Sequence, residues 1–274
     1  MASEKVIPTL QKNRILEYLS EGKRFDSRTP EQYRDLKVEM GVSKNAESSV
    51  KISLGKTQVL VGVKLGLATP YPDSPAEGTF MVSAEMHPMA SPNYEMGRPG
   101  INAIELSRVT DRGIRESGLI DVKKLCIREG EKVWQVFVDI VALNDDGNMF
   151  DAASIGALIA LGNAKLPKYN EAEDKIEFEL TDTPLPLDKD VLSFSMTFHK
   201  IGDKIVADVG LEEEAISDFR LTIAMGDNGG EPRITAMQKG KAGVITDSDM
   251  ETILNLASDT WKEKFPQIKK YAFG

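Results

Sequence analysis

Three arginines, Arg108, Arg112 and Arg115, recur at i, i+4 and i+7 inside Ile101–Ser117, a stretch whose apolar spacing predicts a helix. At about 100° per residue they share an arc of roughly 60°, while Leu106, Val109 and Gly113 project from the other side and can pack. An outward array of this kind can grip a phosphodiester backbone, because guanidinium forks hold phosphate oxygens without reading bases. Glu105, Asp111 and Glu116 could equally pair with these arginines and leave an ordinary salt-laced surface, so spacing alone keeps both readings open. Arg98 lies in a loop just before the helix. A second group is acidic: Asp208-Val209-Gly210-Leu211-Glu212-Glu213-Glu214 follows a predicted strand and reads either as a metal-binding cluster or as a solvated acidic loop. A third is Asp151, expected at or near the N-cap of a helix over Ala152–Ala164, where its carboxylate occupies the helix's positive end.

Other chemistries have little to build on. Cys126 is the single cysteine, so an intramolecular disulfide and a cysteine-built zinc site are excluded. The two histidines, His87 and His199, leave little for a histidine-rich metal site or a Ser-His-Asp triad. His87, in Met-His-Pro-Met, is expected to pack or hydrogen-bond in a loop, Cys126 to act as a small core residue, and Gly226-Asp227-Asn228-Gly229-Gly230 to form a turn. The net charge of -9 argues against nucleic-acid binding over the whole surface, so any such affinity must be local or completed by a partner. Met1–Leu10 has no apolar run of signal-peptide type and no segment approaches ~18 uninterrupted apolar residues, so a cytoplasmic protein is expected, with no membrane partner.

The elements that must position these residues follow from periodicity. Pro8–Glu21 reads as a helix with Leu10, Ile15, Leu16 and Leu19 as its buried stripe, ended by Gly22. Strands follow at Leu36–Met40, Ser49–Leu54 and Thr57–Leu65, the last two joined by the two-residue turn Gly55-Lys56. Pro70, Pro72, Pro75, Pro88 and Pro92 break the next stretch into strand and loop. Trp134–Leu143 is a near-continuous apolar run, expected to be a central strand buried on both faces, with the Ala152–Ala164 helix packed against it. The polar, proline-bounded segment from Pro167 to Pro186 marks a lobe boundary. Beyond it, alternating Leu192, Phe194, Met196 and Phe198 and then Ile205–Val209 form a second hairpin. Ser248–Lys264 is a helix, with Met250, Ile253, Leu254, Ala257 and Trp261 on one face and Thr246 or Asp247 as N-cap. The expectation is an α+β fold in which a similar unit is used twice: an N-terminal helix over 1–22, a first lobe over 23–180 and a second over 181–274.

Four segments in order resemble the RNase PH family. Arg24-Phe25-Asp26-Ser27-Arg28 is similar to Arg-x-Asp-Gly-Arg, with Ser27 replacing glycine. Glu47-Ser48-Ser49-Val50 and Leu54-Gly55-Lys56-Thr57-Gln58-Val59-Leu60 resemble the Gly-Ser-x-x-x-x-x-Gly-x-Thr-x-Val segment, and Glu105-Leu106-Ser107-Arg108-Val109-x-x-Arg112 resembles the helix of the first half. The resemblance spans roughly Arg24 to Phe265. It implies an RNase PH-type fold, two βαβ-like lobes of mixed sheets with packed helices. Ser27, the Arg98-Pro99-Gly100-x-Asn102-Ala103-Ile104-Glu105 segment and the N-terminal helix resemble the non-catalytic ring subunit of the archaeal exosome.

That resemblance implies a protein that is not itself an enzyme. Active members carry Asp-Gly-Gly-Thr-Arg-Thr-Ala-Ala as a phosphate site, whereas this chain has Asp146-Gly147-Asn148-Met149-Phe150-Asp151-Ala152-Ala153. Asn148, Met149, Phe150 and Asp151 therefore mark a degenerate site: Met149 stands for the hydroxyl residue and Phe150 for the arginine. A lost charge-assisted bidentate contact is worth about 1.5–3 kcal/mol or more, and repulsion by Asp151 adds to it. Asp208 matches the catalytic aspartate of active members and Glu214 a second one, giving a residual carboxylate pair with no metal or cofactor assigned. The implied partners are a catalytic RNase PH-like subunit in a trimer of heterodimers, RNA-binding cap proteins and single-stranded RNA. Arg108 and Arg112 would face the RNA, with Arg115 and Arg98 added on spacing and position. Two alternatives stand beside this reading: an autonomous metal-dependent 3′-to-5′ exoribonuclease using Asp208, and a module binding a small phosphorylated ligand.

Overall fold

The computed structural model describes residues 8–274; the first seven residues of the expected N-terminal element, and with them most of Met1–Leu10, lie outside the described residues. In chain order the elements are α1 (Thr9–Ser20), β1 (Leu36–Met40), β2 (Ser48–Leu54), β3 (Thr57–Ala68), β4 (Thr79–Met86) and α2 (Ile101–Ser117). A 3₁₀ turn (Val122–Leu125) precedes β5 (Cys126–Arg128) and β6 (Lys132–Asn144), followed by α3 (Met149–Gly162), β7 (Lys165–Asn170) and β8 (Lys175–Pro184). The chain closes with β9 (Ser193–Ile201), β10 (Lys204–Ala207), α4 (Leu211–Ile216), β11 (Phe219–Asn228), β12 (Glu231–Gly240) and α5 (Asp247–Phe273). This is an α+β architecture.

The first sheet runs β1-β2-β3-β6-β4, with β5 on the end of β6. Its pairs are antiparallel except β4 with β6, which are parallel because α2 lies in the crossover between them. Gly55 turns the β2–β3 hairpin at φ 58, and Leu54 pairs directly with Thr57. The second sheet, β10-β9-β11-β12, is antiparallel throughout; β10 and β11 flank β9 and so point the same way, a parallel pair split by one strand.

Between the sheets lies α3. Every residue from Met149 to Leu161 is buried, which is why its sequence is apolar all round rather than striped. It packs on β2 and β3 on one side and reaches β9 on the other, while α2 bridges β4 and β12. One apolar cluster runs continuously from β2 and β3 through α3 to β9, β11 and α5. A smaller cluster of Ile15, Leu19, Ile201, Val206 and Val209 docks α1 on the second sheet.

Several expectations are corrected. Leu10 is 82% exposed, because the first turn of α1 extends past the surface that Ile15 and Leu19 cover. The strands buried on both faces are β9 and β11, not β6: β6 alternates, its Val136, Val138, Ile140 and Ala142 facing α3 and Asp139 facing out. The alternation of β9 reflects two differently packed faces, one aromatic and one of Ser193, Ser195, Thr197 and His199, all buried. The polar segment from Pro167 to Pro186 contains an antiparallel pair, β7 with β8. The last helix continues through Pro266 to Phe273. An internal proline costs a helix about 3 kcal/mol, offset here by burial of Ile268 and Ala272 and by Asn163, whose Nδ2 donates to the Tyr271 carbonyl at 2.9 Å.

The junction of α3 with α5 tolerates no side chain. A Cβ on Gly162 would sit 2.4 Å from the Ala272 carbonyl oxygen, which is backbone and cannot swing away. Gly162→Ala is expected to destabilise the fold by about 1–3 kcal/mol despite alanine's better helix propensity. Urea unfolding of the variant beside the parent checks this, and an equal or higher midpoint would refute the docking.

Candidate functional site

Asp208 directly follows β10 in a left-handed conformation, φ 44, with no solvent exposure. An isolated carboxylate in such a place would be prohibitively costly, so it must be paired. Its Oδ2 accepts from the Arg34 backbone N (2.7 Å), Arg34 Nε (2.9 Å) and Arg28 Nη1 (3.0 Å). Its Oδ1 accepts from Arg34 Nη2 (2.7 Å) and Asn148 Nδ2 (2.8 Å). Burial alone would raise the Asp208 carboxyl, but the hydrogen bonds and charge of Arg34, with Asn148, hold it below the usual carboxylate range. Arg34 also donates to the carbonyls of Asp146 (3.0 Å) and Gly147 (3.1 Å), so one guanidinium ties β10 to the loop that opens α3.

Two further acids of the run are also withdrawn from solvent, while Glu212 is exposed. Glu213 accepts from buried Arg24 at 2.9 Å, and Arg24 donates as well to the carbonyls of Ala207 (3.0 Å) and Asp208 (2.9 Å). Glu214, on α4, is pushed up by burial and by Asp145. The reading of this run as a solvated loop holds for Glu212 alone: the arginines of the 24–34 segment fold back over Asp208 and Glu213, an arrangement that spacing could not reveal. Ser27, inside the same segment, adopts φ 68, the conformation for which glycine is suited.

At the start of α3, Asn148 is the N-cap residue at φ 57 and turns its amide inward to Asp208 and Asp151. Met149 and Phe150 are buried. The Arg220 guanidinium lies 4.1 Å from the Phe150 ring centroid and forms an ion pair with Glu105. Asp151, expected at or near the cap, is instead the third helical residue, one turn past the actual cap Asn148, and its fully buried side chain points into the protein rather than toward an incoming anion. It accepts from Tyr33 Oη (3.0 Å), Asn148 Nδ2 (2.9 Å), Thr197 N (3.1 Å) and Thr197 Oγ1 (2.7 Å). The physical reason lies in β9. β10 pairs only with Phe198–Ile201, so the Thr197 and Ser195 N–H groups beyond it need other acceptors, and Asp151 and Ser154 supply them. Burial, with the nearby Asp208 charge, lifts Asp151 to about 7 against the hydrogen bonds from Thr197 and Asn148.

The start of α3 thus presents Met149, a phenyl ring and an arginine already paired with Glu105. Asp208, which would have to serve as ligand or acid, has both oxygens occupied by arginine and asparagine. Among the described residues no group of three or more His, Cys, Asp or Glu side chains is placed to hold a metal ion. Buried His199 bonds Ser217 Oγ through Nδ1 at 2.9 Å and is held well below the ordinary histidine value by burial and by Arg220, Lys241 and Arg24. His87 pairs with Glu85, Cys126 is partly buried on β5, and Gly229-Gly230 turn back into β12 at φ 68 and 93.

The arginines of α2 line an open groove of about 360 Å³ with Tyr71, Phe80, Met81, Val82 and Ser107. Their states differ. Arg115 is clamped by Asp111 at 3.0 and 2.8 Å, donates to the Phe80 carbonyl at 3.2 Å, and lies 4.0 Å from the Phe80 ring centroid. Arg112 donates to Gln238 Oε1 at 3.2 Å. Arg108 is exposed and, among the described residues, has no carboxylate partner within ion-pair distance; Arg98 is exposed in the preceding loop. Of the three acids that could have neutralised the strip, Asp111 pairs with Arg115, Glu105 turns inward to Arg220, and Glu116 has no arginine ion pair among the described residues. Sequence reasoning missed Arg34, Tyr33 and Arg220, whose neighbours carry no distinguishing pattern.

The chain is similar to known proteins along most of its length. Residues 32–167 match the model of the RNase PH domain described as 3′ exoribonuclease family, domain 1, and residues 193–260 match domain 2 of that family. The chain is 42% identical over 264 residues to the exosome complex component Rrp42 of Methanopyrus kandleri, covering 96% of this chain and 97% of the relative. It is 44% identical over 257 residues to the protein of the same name from Thermococcus kodakarensis, covering 94% and 93%. A chain of the Archaeoglobus fulgidus exosome with RNA bound to the active site superposes with a TM-score of 0.83 at 40% identity, over 93% of this chain and 98% of that one.

Two outcomes follow from the buried charges. Arg34→Met leaves Asp208 buried and underpaired and is expected to cost about 3–5 kcal/mol of stability, read by denaturant unfolding; a loss under 1 kcal/mol would show that Asp208 does not depend on Arg34. Asp151 carries the opposite pH signature from Asp208. Because its folded value is raised from 3.8 to about 7, its contribution is fully present below about pH 3.8 and is lost as pH rises toward about 7. The stability of the parent relative to Asp151→Asn should therefore decline across that window and stay level above it. A flat difference would mean that Asp151 ionises normally.

Proposed function

The chain belongs to the RNase PH family of 3′ exoribonucleases, and from that premise we propose that it is the exosome subunit that shapes an active site on a neighbour instead of carrying one. The observation that carries the non-catalytic reading is the state of Asp208: its carboxylate is consumed in holding the 24–34 segment, β10 and the α3 loop together. The burial of Met149 and Phe150 at the start of α3 points the same way. An autonomous metal-dependent exoribonuclease would need Asp208 to release its arginines, and nothing in the geometry favours that.

In this reading the chain alternates with a catalytic RNase PH-like subunit in a ring of three heterodimers, takes RNA-binding cap proteins on the ring, and works in the cytoplasm. It is organised as an N-terminal helix to residue 22, a first lobe to residue 180 and a second lobe from 181. Arg108 and Arg112 contribute to the path of single-stranded RNA, with Arg98 beside them and Arg115 fixed behind them. A net charge of -9 is compatible with this, because a channel needs only a basic lining along one strip. No helix among the described residues is long and apolar enough to cross a membrane.

The test is degradation of a labelled single-stranded RNA in phosphate and Mg²⁺ by the chain alone and by its mixture with the catalytic partner. The chain alone is expected to be inert and the mixture active. Phosphate-dependent shortening by the chain alone, abolished by Asp208→Asn, would overturn the proposal. In the assembled complex, Arg108→Glu with Arg112→Glu should weaken RNA binding at low salt by at least tenfold, and unchanged affinity would remove the arginines from the RNA path.

A further inference from the structure

A helix starts with backbone N–H groups that have no partner in a preceding turn, and its axis carries partial positive charge there. In α3 the local sequence does not meet that demand. Asn148, the N-cap residue, makes no side-chain cap, because its amide is turned to Asp208 and Asp151. Asp151, the acid of the first turn, has its carboxylate committed to Tyr33, Asn148 and Thr197. Buried Met149 and Phe150 cover the turn, so the anion at this helix end comes from the protein itself. Glu214 on α4 supplies it: its carboxyl receives the Asn148 backbone N–H and is stabilised by the charges of Arg220 and Lys241, against burial and the like charge of Asp145.

Packing holds Glu214 in that place. The start of α4 lies flush against the turn, so that a Cβ on Gly147 would sit 2.7 Å from the Leu211 nitrogen and the Val209 carbonyl oxygen. At the far end Lys241 Nζ donates to the carbonyls of Glu214 and Ser217. Arg220 completes the cradle. It is 8% exposed, its guanidinium covers the Phe150 ring, and its Nε–H has no hydrogen-bond partner among the described residues. A buried donor left without an acceptor is costly, and one beside a helix N-terminus suits an oxyanion. We propose that Glu214 is a resident oxyanion ligand of α3, and that its cradle, the α3 opening turn with Arg220, becomes a binding site for a small carboxylate once the Glu214 carboxylate is removed. Glu214 is half-buried, which leaves a route for exchange with solvent. The contact joins α4 to the central helix without using any residue of the arginine strip, so it stands apart from the RNA-guiding reading.

The test is chemical rescue of the full chain. Glu214→Ala removes a methylene and a carboxylate, the groups that acetate returns. The variant should melt several degrees below the parent in chloride. Acetate should restore its midpoint progressively with concentration, as expected for a ligand of the folded state, while chloride at matched ionic strength should not. In the variant the Asn148 amide resonance should shift saturably with acetate, and in the parent it should stay in place. Glu214→Gln fills the same space without a charge and should show neither response to acetate. An equal acetate response in parent and Glu214→Ala, or none in Glu214→Ala, would overturn the inference. If Glu214→Ala does not fold in chloride, recovery of the fold by acetate is the expected result, and failure to recover it also overturns the inference. RNA binding by the assembled complex is not the readout, so the RNA-guiding reading survives either outcome.

Discussion

A carboxylate removed entirely from water has to be surrounded by charge and hydrogen-bond donors, and the arrangement that satisfies Asp208 organises much of this molecule. Its partners come from two places far apart in sequence, Arg28 and Arg34 from the segment after α1 and Asn148 from the start of α3, and they meet it just past β10, where its backbone is left-handed. Satisfying that one group fixes how the first sheet meets the second. Arg34 extends the same constraint to the β2–β3 hairpin, donating to Thr57 Oγ1 at 3.3 Å, and a Cβ on Gly55 would sit 2.5 Å from its Cδ. Both oxygens of the Asp208 carboxylate are thereby engaged by arginine and asparagine donors.

The central helix obeys a related logic. An apolar rod enclosed on every side cannot tolerate polar groups unless they are used, and the two it carries toward the second sheet, Asp151 and Ser154, both serve β9. Because β10 is four residues long, part of the edge of β9 has no strand beside it, and α3 supplies the missing acceptors. The opening turn that would otherwise present donors to an anion is filled by Met149 and by Phe150 beneath Arg220. The side chains that close this turn also join the two sheets, since Met149 and Phe150 belong to the continuous apolar core.

The outer surface is arranged differently. Charges on α2 are sorted by direction: Glu105 turns inward to Arg220, Asp111 holds Arg115 flat on Phe80, and Arg108 is left to solvent. A chain that is acidic overall can therefore keep a narrow basic strip, because electrostatic reach at physiological salt is about 8 Å and local composition outweighs net charge.

Strong periodicity and turn chemistry in the sequence by themselves determined α2, the β2–β3 hairpin and the arc of arginines, since helix and strand geometry map residue spacing directly onto faces; for the cap of α5 they left Thr246 and Asp247 open, and the fold chose Thr246. The family motifs likewise pointed to a missing phosphate-binding arginine at Phe150 and, through Ser27, to a backbone position that suits glycine. What spacing could not contain was pairing across long separations. That Arg34 would neutralise Asp208, that Glu105 would abandon its helix neighbours for Arg220, and that Asp151 would turn inward to cap β9 depend on which elements are adjacent in space. Adjacency of that kind is settled by burial of the shared core, and only then does each polar group find the partner it needs to remain buried.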